Sequence, residues 1–262
     1  MKRNFQPRNT QQRRHTIMQL LQTQGEVSVE QLVHQLETSE VTIRKDLTAL
    51  ENNGFLLRRY GGAVLMPKEF IDEAQDEIFS ERKLAIARAA AERIADHNRI
   101  IVDSGSTTAA LIKQLNRKQG LVVMTNSLSV ATALRALENE PTLLMTGGTW
   151  DTHSESFQGK VAEQVLRSYN FDQLFIGADG IDLTRGTTTF NELIGLSRVM
   201  ADVSREVIVM VEAQKIGRKM PNLELTWQQI DVLITDDLLS KENKSAIEAQ
   251  GVEVICVSAV KN

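Results

Sequence analysis

Seven short apolar runs, RIIVD, LVVMT, TLLMTG, QLFIGADG, EVIVMVE, VLITDD and VEVICV, punctuate the chain between positions 99 and 257. Each is too short for a stable helix and rich in β-branched residues, so each predicts a strand. Before and between them lie amphipathic stretches at 81–95, 107–116, 128–138, 161–169, 192–204 and 240–250. Strands that are apolar on both faces must be covered on both faces, and regular alternation with helices achieves this with parallel pairing. Over 81–258 the expectation is a mostly parallel α/β sheet with helices on both sides. No run of about 18 apolar residues is present, so no membrane span is expected. No repeat of about 20–50 residues marks a solenoid.

The first 66 residues follow another pattern. They hold nine Lys and Arg against six Asp and Glu, while the remainder holds 21 against 28, which together give the formal net charge of −4. A small basic module ahead of an acidic body confines nucleic-acid phosphate contacts to the module. Ile17, Leu20 and Leu21 share one face of a helix over 13–24, which Gly25 stops. Ser28, with Gln31 three residues on, forms a capping box for a second helix with the buried stripe Val29, Leu32, Val33 and Leu36. After a tight Glu37-Thr38 turn, Ser39 caps a third helix running to about Asn52. The start, MKRNFQPRNTQQRRH, is basic without the apolar core of a secretory signal. The one cysteine, Cys256, is expected as a buried strand thiol. A reducing, cytoplasmic setting follows.

In the third helix Ile43, Leu47 and Leu50 face the core. At 100° per residue Val41, Arg44, Lys45 and Thr48 then lie outward, with Thr42 at the flank and Asp46 and Glu51 towards the sides. Cations there suit guanine O6/N7 or phosphate, and the Val and Thr methyls suit a thymine methyl. Beyond Gly54, FLLRRYGGAVL is two apolar runs around Gly61-Gly62, a hairpin whose Arg58, Arg59 and Tyr60 can reach phosphates or the minor groove. Three helices followed by a basic wing, in that order, point to double-stranded DNA. Single-stranded RNA would call for an aromatic platform, for which Tyr60 is the sole candidate.

Ligands of open α/β sheets sit beyond the carboxyl ends of the strands. After RIIV come Asp103, Ser104, Gly105, Ser106, Thr107 and Thr108. Later strands end in Thr125, Asn126 and Ser127, and in Gly147 and Gly148. Glycine lets backbone approach closely, hydroxyls add donors, and loops of this kind surround a small phosphate-bearing ligand. Asp179, Asp182 and Glu192 supply carboxylates for sugar hydroxyls, and Lys215 a cation for the phosphate. Asp182 as a turn cap and Lys219 in a solvated loop are the plainer alternatives. Four histidines, His15, His34, His97 and His153, show no ligand spacing, so neither a metal nor a cofactor is expected.

Residues 39–47 resemble the signature of the DeoR family of bacterial transcriptional regulators, of the sugar-phosphate-responsive, glycerol-3-phosphate-repressor-like kind. The signature has a small hydroxylic residue, two open positions, Thr, an aliphatic, Arg, a basic residue, Asp and an aliphatic. Ser39, Thr42, Ile43, Arg44, Lys45, Asp46 and Leu47 fill it, and Arg58 to Ala63 match the family's R-x-Y/H-G-G-A wing. The resemblance extends from about Thr10 to Val257. Its D-x-G-[ST]-T loop matches Asp103, Gly105, Ser106 and Thr107, its T-N loop Thr125 and Asn126, and its G-G loop Gly147 and Gly148. Its G-x-D-G-[IV] stretch matches Gly177, Asp179, Gly180 and Ile181, and its N-E matches Asn191 and Glu192. Where the family writes D-x-[ST]-K, this chain has Glu212-Ala213-Gln214-Lys215, which keeps the lysine and alters its neighbours.

The resemblance implies a winged helix-turn-helix domain at 10–65 (helix-turn-helix 27–46), a connector at 66–80, and a domain at 81–258 resembling ribose-5-phosphate isomerase and CoA-transferase. It also implies a repressor of a carbohydrate operon that self-associates as a homodimer or higher, binds operator DNA, and is released by a phosphorylated sugar. The competing reading is a phosphosugar isomerase with a fused DNA-binding domain, Asp179, Asp182 or Glu192 acting as general base. Against it, such isomerases carry a lysine shortly after the paired aspartates, where this chain has Leu183-Thr184-Arg185-Gly186-Thr187.

Overall fold

The computed structural model describes residues 10–51, 56–65, 79–152, 154–191 and 194–259. It divides into two compact units, Met1–Glu77 and Ile78–Asn262. Most of the charged stretch 66–80 lies outside the described residues, as do Glu192 and His153.

The first unit contains α1 (Thr10–Gln24), β1 (Glu26–Ser28), α2 (Val29–Leu36), α3 (Glu40–Glu51), β2 (Leu56–Arg59) and β3 (Gly62–Leu65). Its core joins Ile17 and Leu21 of α1, Leu32 of α2, Ile43, Leu47 and Leu50 of α3, and Leu56 of β2. Ser28 caps α2 by accepting the Gln31 N–H at 3.0 Å, but the Gln31 side chain donates to Gln24 instead of closing a capping box. Glu37 adopts φ 43° at the end of α2 and turns the chain into α3. One element was not anticipated. The three residues of β1 pair with β3, so the wing is a three-stranded sheet in the order β1-β3-β2. Gly62 permits that approach, because a Cβ there would lie 2.2 Å from the Val27 carbonyl oxygen.

A second difference concerns Asp46, expected towards the side of α3 and found 1% exposed. It lies on the flank of the helix that α1 covers, a choice of flank that the periodicity of one helix does not specify. Arg13 Nε donates to one carboxylate oxygen, and Arg14 Nε donates to the other at 2.9 Å. A buried carboxylate left without partners is strongly unfavourable, so these contacts lock α1 to α3.

The second unit is built on a seven-stranded sheet of β4 (Arg99–Val102), β5 (Val122–Thr125), β6 (Thr142–Met145), β9 (Phe171–Ile176), β12 (Ser204–Met210), β14 (Val232–Asp236) and β15 (Glu253–Val257). Their order is β15-β14-β12-β9-β4-β5-β6, and every pair is parallel. Side chains alternate between two cores. Ile101, Met124, Leu174, Val209 and Leu233 meet α7 (Lys160–Arg167), α8 (Gly195–Asp202) and α9 (Lys241–Glu248) on one face. Ile100, Val102, Val123, Phe175, Ile208 and Ile234 meet α4 (Glu81–Glu92), α5 (Ser106–Ile112) and α6 (Leu128–Arg135) on the other.

Three short strands, β10 (Gly180–Asp182), β11 (Gly186–Thr189) and β13 (Asn222–Thr226), form an antiparallel sheet of their own. A hairpin of β7 (Thr149–Asp151) and β8 (Ser156–Gln158) follows β6. Cys256 lies in an expected strand but is exposed, because β15 is at the sheet edge.

Replacing Asp46 with Ala is expected to destabilise the first unit by about 1–3 kcal/mol, since two arginines lose their shared acceptor. Urea unfolding of the full chain followed by circular dichroism should show an earlier first transition and an unmoved second one. Unchanged unfolding would mean that the contact contributes nothing to stability.

Candidate functional site

On α3, Val41 is 64% exposed and Arg44 and Lys45 are exposed. The hydroxyls at the start of this helix serve the helix itself: Ser39 Oγ accepts the Thr42 N–H at 3.2 Å and lies 2.8 Å from Thr42 Oγ1. Arg44 Nε and Nη2 donate to Glu40 Oε1 at 2.8 and 2.6 Å. Thr48 Oγ1 donates to the Arg44 carbonyl and accepts from Arg58 Nη1 at 2.9 Å, while the Arg58 N–H donates to Glu51. Arg59 pairs with Glu26 of β1. The helix and the wing are therefore linked side chain to side chain. Tyr60, fully exposed beside Gly61 (φ 80°), projects from the hairpin tip. Val41, Arg44, Lys45, Arg58, Arg59 and Tyr60 are all exposed; the contacts of Arg58 with Thr48 and Glu51 join wing to helix, while Arg59–Glu26 ties two strands of the wing together.

In the second unit β4, β5 and β6 run to one side of the sheet, and β9, β12, β14 and β15 to the other. Strand order thus reverses between β4 and β9, and in open α/β sheets ligands bind in a crevice at the carboxyl ends of the strands at such a switch point. Asp103 follows β4, and Gly177 to Asp179 follow β9. Asn126, fully buried after β5, ties neighbouring loops together: its Nδ2 donates to Asp103 Oδ1 at 2.8 Å, and its Oδ1 accepts the Ser104 N–H at 3.1 Å. Ser127 caps α6, and the Thr146 N–H reaches the Thr125 carbonyl at 3.1 Å. Gly148 has φ 115°, and a Cβ there would meet the Gln158 carbonyl oxygen at 2.5 Å, so only glycine fits.

Two contributors escaped the sequence reading. Lys83 of α4 places Nζ 2.7 Å from Ser106 Oγ, directly over the loop after β4. One turn earlier, Ser80 Oγ donates to Glu212 Oε1 at 3.3 Å. The start of α4 therefore touches both the Ser106 loop and the loop carrying Lys215, itself buried. In sequence, Lys83 looks like any cation on a solvated helical face. Glu224, a polar position of the short alternating stretch NLELT, reads in sequence as solvent-facing. It is buried on β13 and accepts a hydrogen bond from Ser197 Oγ at 2.7 Å.

The carboxyls divide sharply. Burial pushes Glu224 up to about 8, and the charges of Asp103 and Asp179 add to the rise against hydrogen bonds from Ser197 and Thr187. Burial likewise raises Asp103 to about 6, opposed by hydrogen bonds from Ser104 and Asn126. Asp179 accepts from Thr189 Oγ1 at 2.7 Å. Asp182 behaves oppositely. Burial alone would raise it, but hydrogen bonds from Thr184 and Arg185 and the nearby Lys219 charge hold it well below the ordinary range. Its oxygens take the Thr184 N–H, the Thr184 hydroxyl and Arg185 Nε, so it is committed to its own turn.

A cationic helix-and-wing face and a separate polar crevice at a strand switch point define a ligand-responsive DNA-binding protein. Residues 13–69 match the DeoR-like helix-turn-helix domain and residues 78–237 the DeoR C terminal sensor domain. The chain belongs to the DeoR family of transcriptional regulators, and on that ground is a regulator and not an enzyme. It is 38% identical over 254 residues to the putative aga operon transcriptional repressor of Escherichia coli O157:H7, covering 95% of this chain and 94% of that one. It is 32% identical to the HTH-type transcriptional regulator GlpR of Haloferax volcanii, over 93% of this chain and 96% of that one. Among solved structures it is similar to a ribose 5-phosphate isomerase from Methanocaldococcus jannaschii, at 20% identity and a TM-score of 0.37 over 51% of this chain and 53% of that one. So distant a likeness says nothing of activity.

Glu224 makes stability depend on pH with a definite sign. Below about 4.5 folded and unfolded forms are both protonated; above it the unfolded chain ionises while the folded one holds its proton until about 8, so stability falls as pH rises through that window. Glu224→Gln should flatten this decline and gain on the order of 2 kcal/mol at pH 8. Thermal unfolding of both proteins from pH 5 to 8.5 measures it; parallel curves would refute the assignment.

Proposed function

We propose that this protein represses a carbohydrate catabolic or transport operon and leaves its operator when a phosphorylated sugar occupies the crevice between β4 and β9. The single observation that best supports a phosphate-bearing ligand is the position of Lys83 over the Ser106 hydroxyl, with the Lys215 loop brought alongside through Ser80 and Glu212. In this reading the loops 103–108, 125–127 and 147–148 take the phosphate with Lys83 and Lys215. Asp103, Asp179 and Glu224 take the sugar hydroxyls, and Asp182 is left to its turn. Residues 10–65 act as the DNA-binding domain and 81–258 as the sensor, with 66–80 as connector. Self-association of the sensors brings two modules to paired half-sites, and the protein works in the cytoplasm.

The names of two relatives support this reading: one is the putative aga operon transcriptional repressor, the other the transcriptional regulator GlpR. Sugar phosphate and operator then bind with opposite preference, and linkage requires that each weakens the other by the same factor.

Duplexes from upstream of neighbouring transport and catabolic genes provide the test. Affinity should fall steeply with salt, as counterions are released from phosphates. Arg44→Ala should abolish sequence-specific binding with the fold intact; normal affinity would contradict the assignment of α3. Lys83→Ala and Lys215→Ala should leave DNA binding unaltered and raise the phosphosugar concentration for half-release at least tenfold, about 1.4 kcal/mol. A phosphosugar panel screened by thermal shift identifies the ligand by the stability it adds through mass action. An unmoved half-release concentration in both lysine variants would remove the phosphate from this crevice.

A further inference from the structure

Glu40 is an anomaly on a face that meets a polyanion. It is the first residue of α3, its side chain is 60% exposed, and the N-terminal residues of such a helix are those that contact base edges. A carboxylate there is repelled by every phosphate it approaches, so non-specific attraction does not account for it.

Its contact with Arg44 is specific in shape. Both Arg44 donors that it takes, Nε and Nη2, converge on one oxygen, Oε1, at 2.8 and 2.6 Å. A guanidinium has five N–H bonds in a rigid plane. With the Nε hydrogen and one Nη2 hydrogen used, the remaining pair on Nη1 and Nη2 forms the outer edge, which matches guanine O6 and N7 in the major groove. Without the carboxylate, the long Arg44 side chain is free to swing to a phosphate, a contact that carries no sequence information. Glu40 Oε2 takes no part in the Arg44 contact, and a carboxylate oxygen in the major groove accepts from the N4 amino group of cytosine. Four residues along a helix is about 6 Å, roughly two base steps of about 3.4 Å, so one turn can read two neighbouring positions.

We propose that Glu40 is a specificity-determining residue of the DNA interface, fixing Arg44 edge-on to a guanine and itself selecting a nearby cytosine. The proposal rests on the DNA-binding reading. Its Coulomb repulsion lowers affinity for all DNA, and the gap between operator and random sequence widens because only a site with the matching guanine and cytosine offsets that cost with hydrogen bonds.

The test is selection from a randomised duplex pool by the full-length protein and by its Glu40→Ala and Glu40→Gln variants, followed by dissociation constants for the selected and a scrambled duplex. The unmodified protein should select a site with a guanine and a cytosine within two steps. Glu40→Ala should bind the scrambled duplex several-fold more tightly, lose preference at both positions, and narrow the selected-to-scrambled ratio about tenfold. Glu40→Gln keeps an acceptor for Arg44, so it should retain the guanine preference and lose the cytosine. In an Arg44→Lys background, where the fork is gone, Glu40→Ala should cause no further loss at the guanine. A uniform change of affinity with identical base preferences would overturn the proposal and leave Glu40 a surface ion pair. No selection by the unmodified protein would instead overturn the DNA reading beneath it.

Discussion

A carboxyl group taken out of water must be met by a cation, by hydrogen bonds or by a proton, and this chain is organised by all three answers. Asp46 is met by two arginines, which sets α3 against α1 and so decides which side of α3 faces outward. Asp182 is met by hydrogen bonds and a guanidinium from its own turn. Glu224 is held towards its protonated form by burial, with the like charges of Asp103 and Asp179 adding to the rise. The first two are structural. The third leaves a neutral acid that can donate a hydrogen bond where an ionised one only accepts.

The same distinction separates what positions the DNA-facing surface from what it presents. Thr48, Arg58 and Arg59 lie where a DNA contact was expected, yet each has a partner in the protein: the Arg44 carbonyl, Thr48 and Glu26. Surface ion pairs of this kind add little to stability, about 1 kcal/mol or less. Their effect is geometric, joining wing to helix so that both approach a duplex as one body. On the proposed reading Val41, Arg44, Lys45 and Tyr60 meet the duplex beside Arg58 and Arg59, which are exposed as well.

Much of this was legible in the residues, and what was not has a physical reason. All seven parallel strands were readable because each is apolar on both faces and therefore uninterrupted. β10, β11 and β13 were not: GID and GTTT carry neither alternation nor an apolar run, and NLELT alternates over only five residues. They exist through tertiary contact, as at Gly186, where a Cβ would lie 2.1 Å from the Leu225 carbonyl oxygen. Asp46 was misjudged because helical periodicity fixes an angle and not the neighbour that covers it. The loops of the crevice were readable from their glycines and hydroxyls. Their convergence was not, since it depends on β9 pairing with β4 on the side away from β5. Lys83 and Glu224 belong to elements that meet the crevice from outside the strand-loop pattern.

The protonation of Glu224 bears on what the crevice can accept. Three carboxyls, Asp103, Asp179 and Glu224, lie close enough for the charges of the first two to act on the third. Fully ionised, they would oppose a phosphate dianion, against which the proposed reading sets Lys83 and Lys215. With Glu224 neutral the opposing charge is reduced near neutral pH, while Asp103, raised to about 6, is neutral only in more acid solution. On the proposed reading, an arriving phosphate makes ionisation of both groups still less favourable, so ligand and protons bind with mutual support. On that reading the buried acids disfavour a ligand that is all charge, because inorganic phosphate uses the lysines and brings no hydroxyls to the carboxyls. A phosphorylated sugar satisfies both halves of the crevice, and that is the physical basis for expecting it over the free anion.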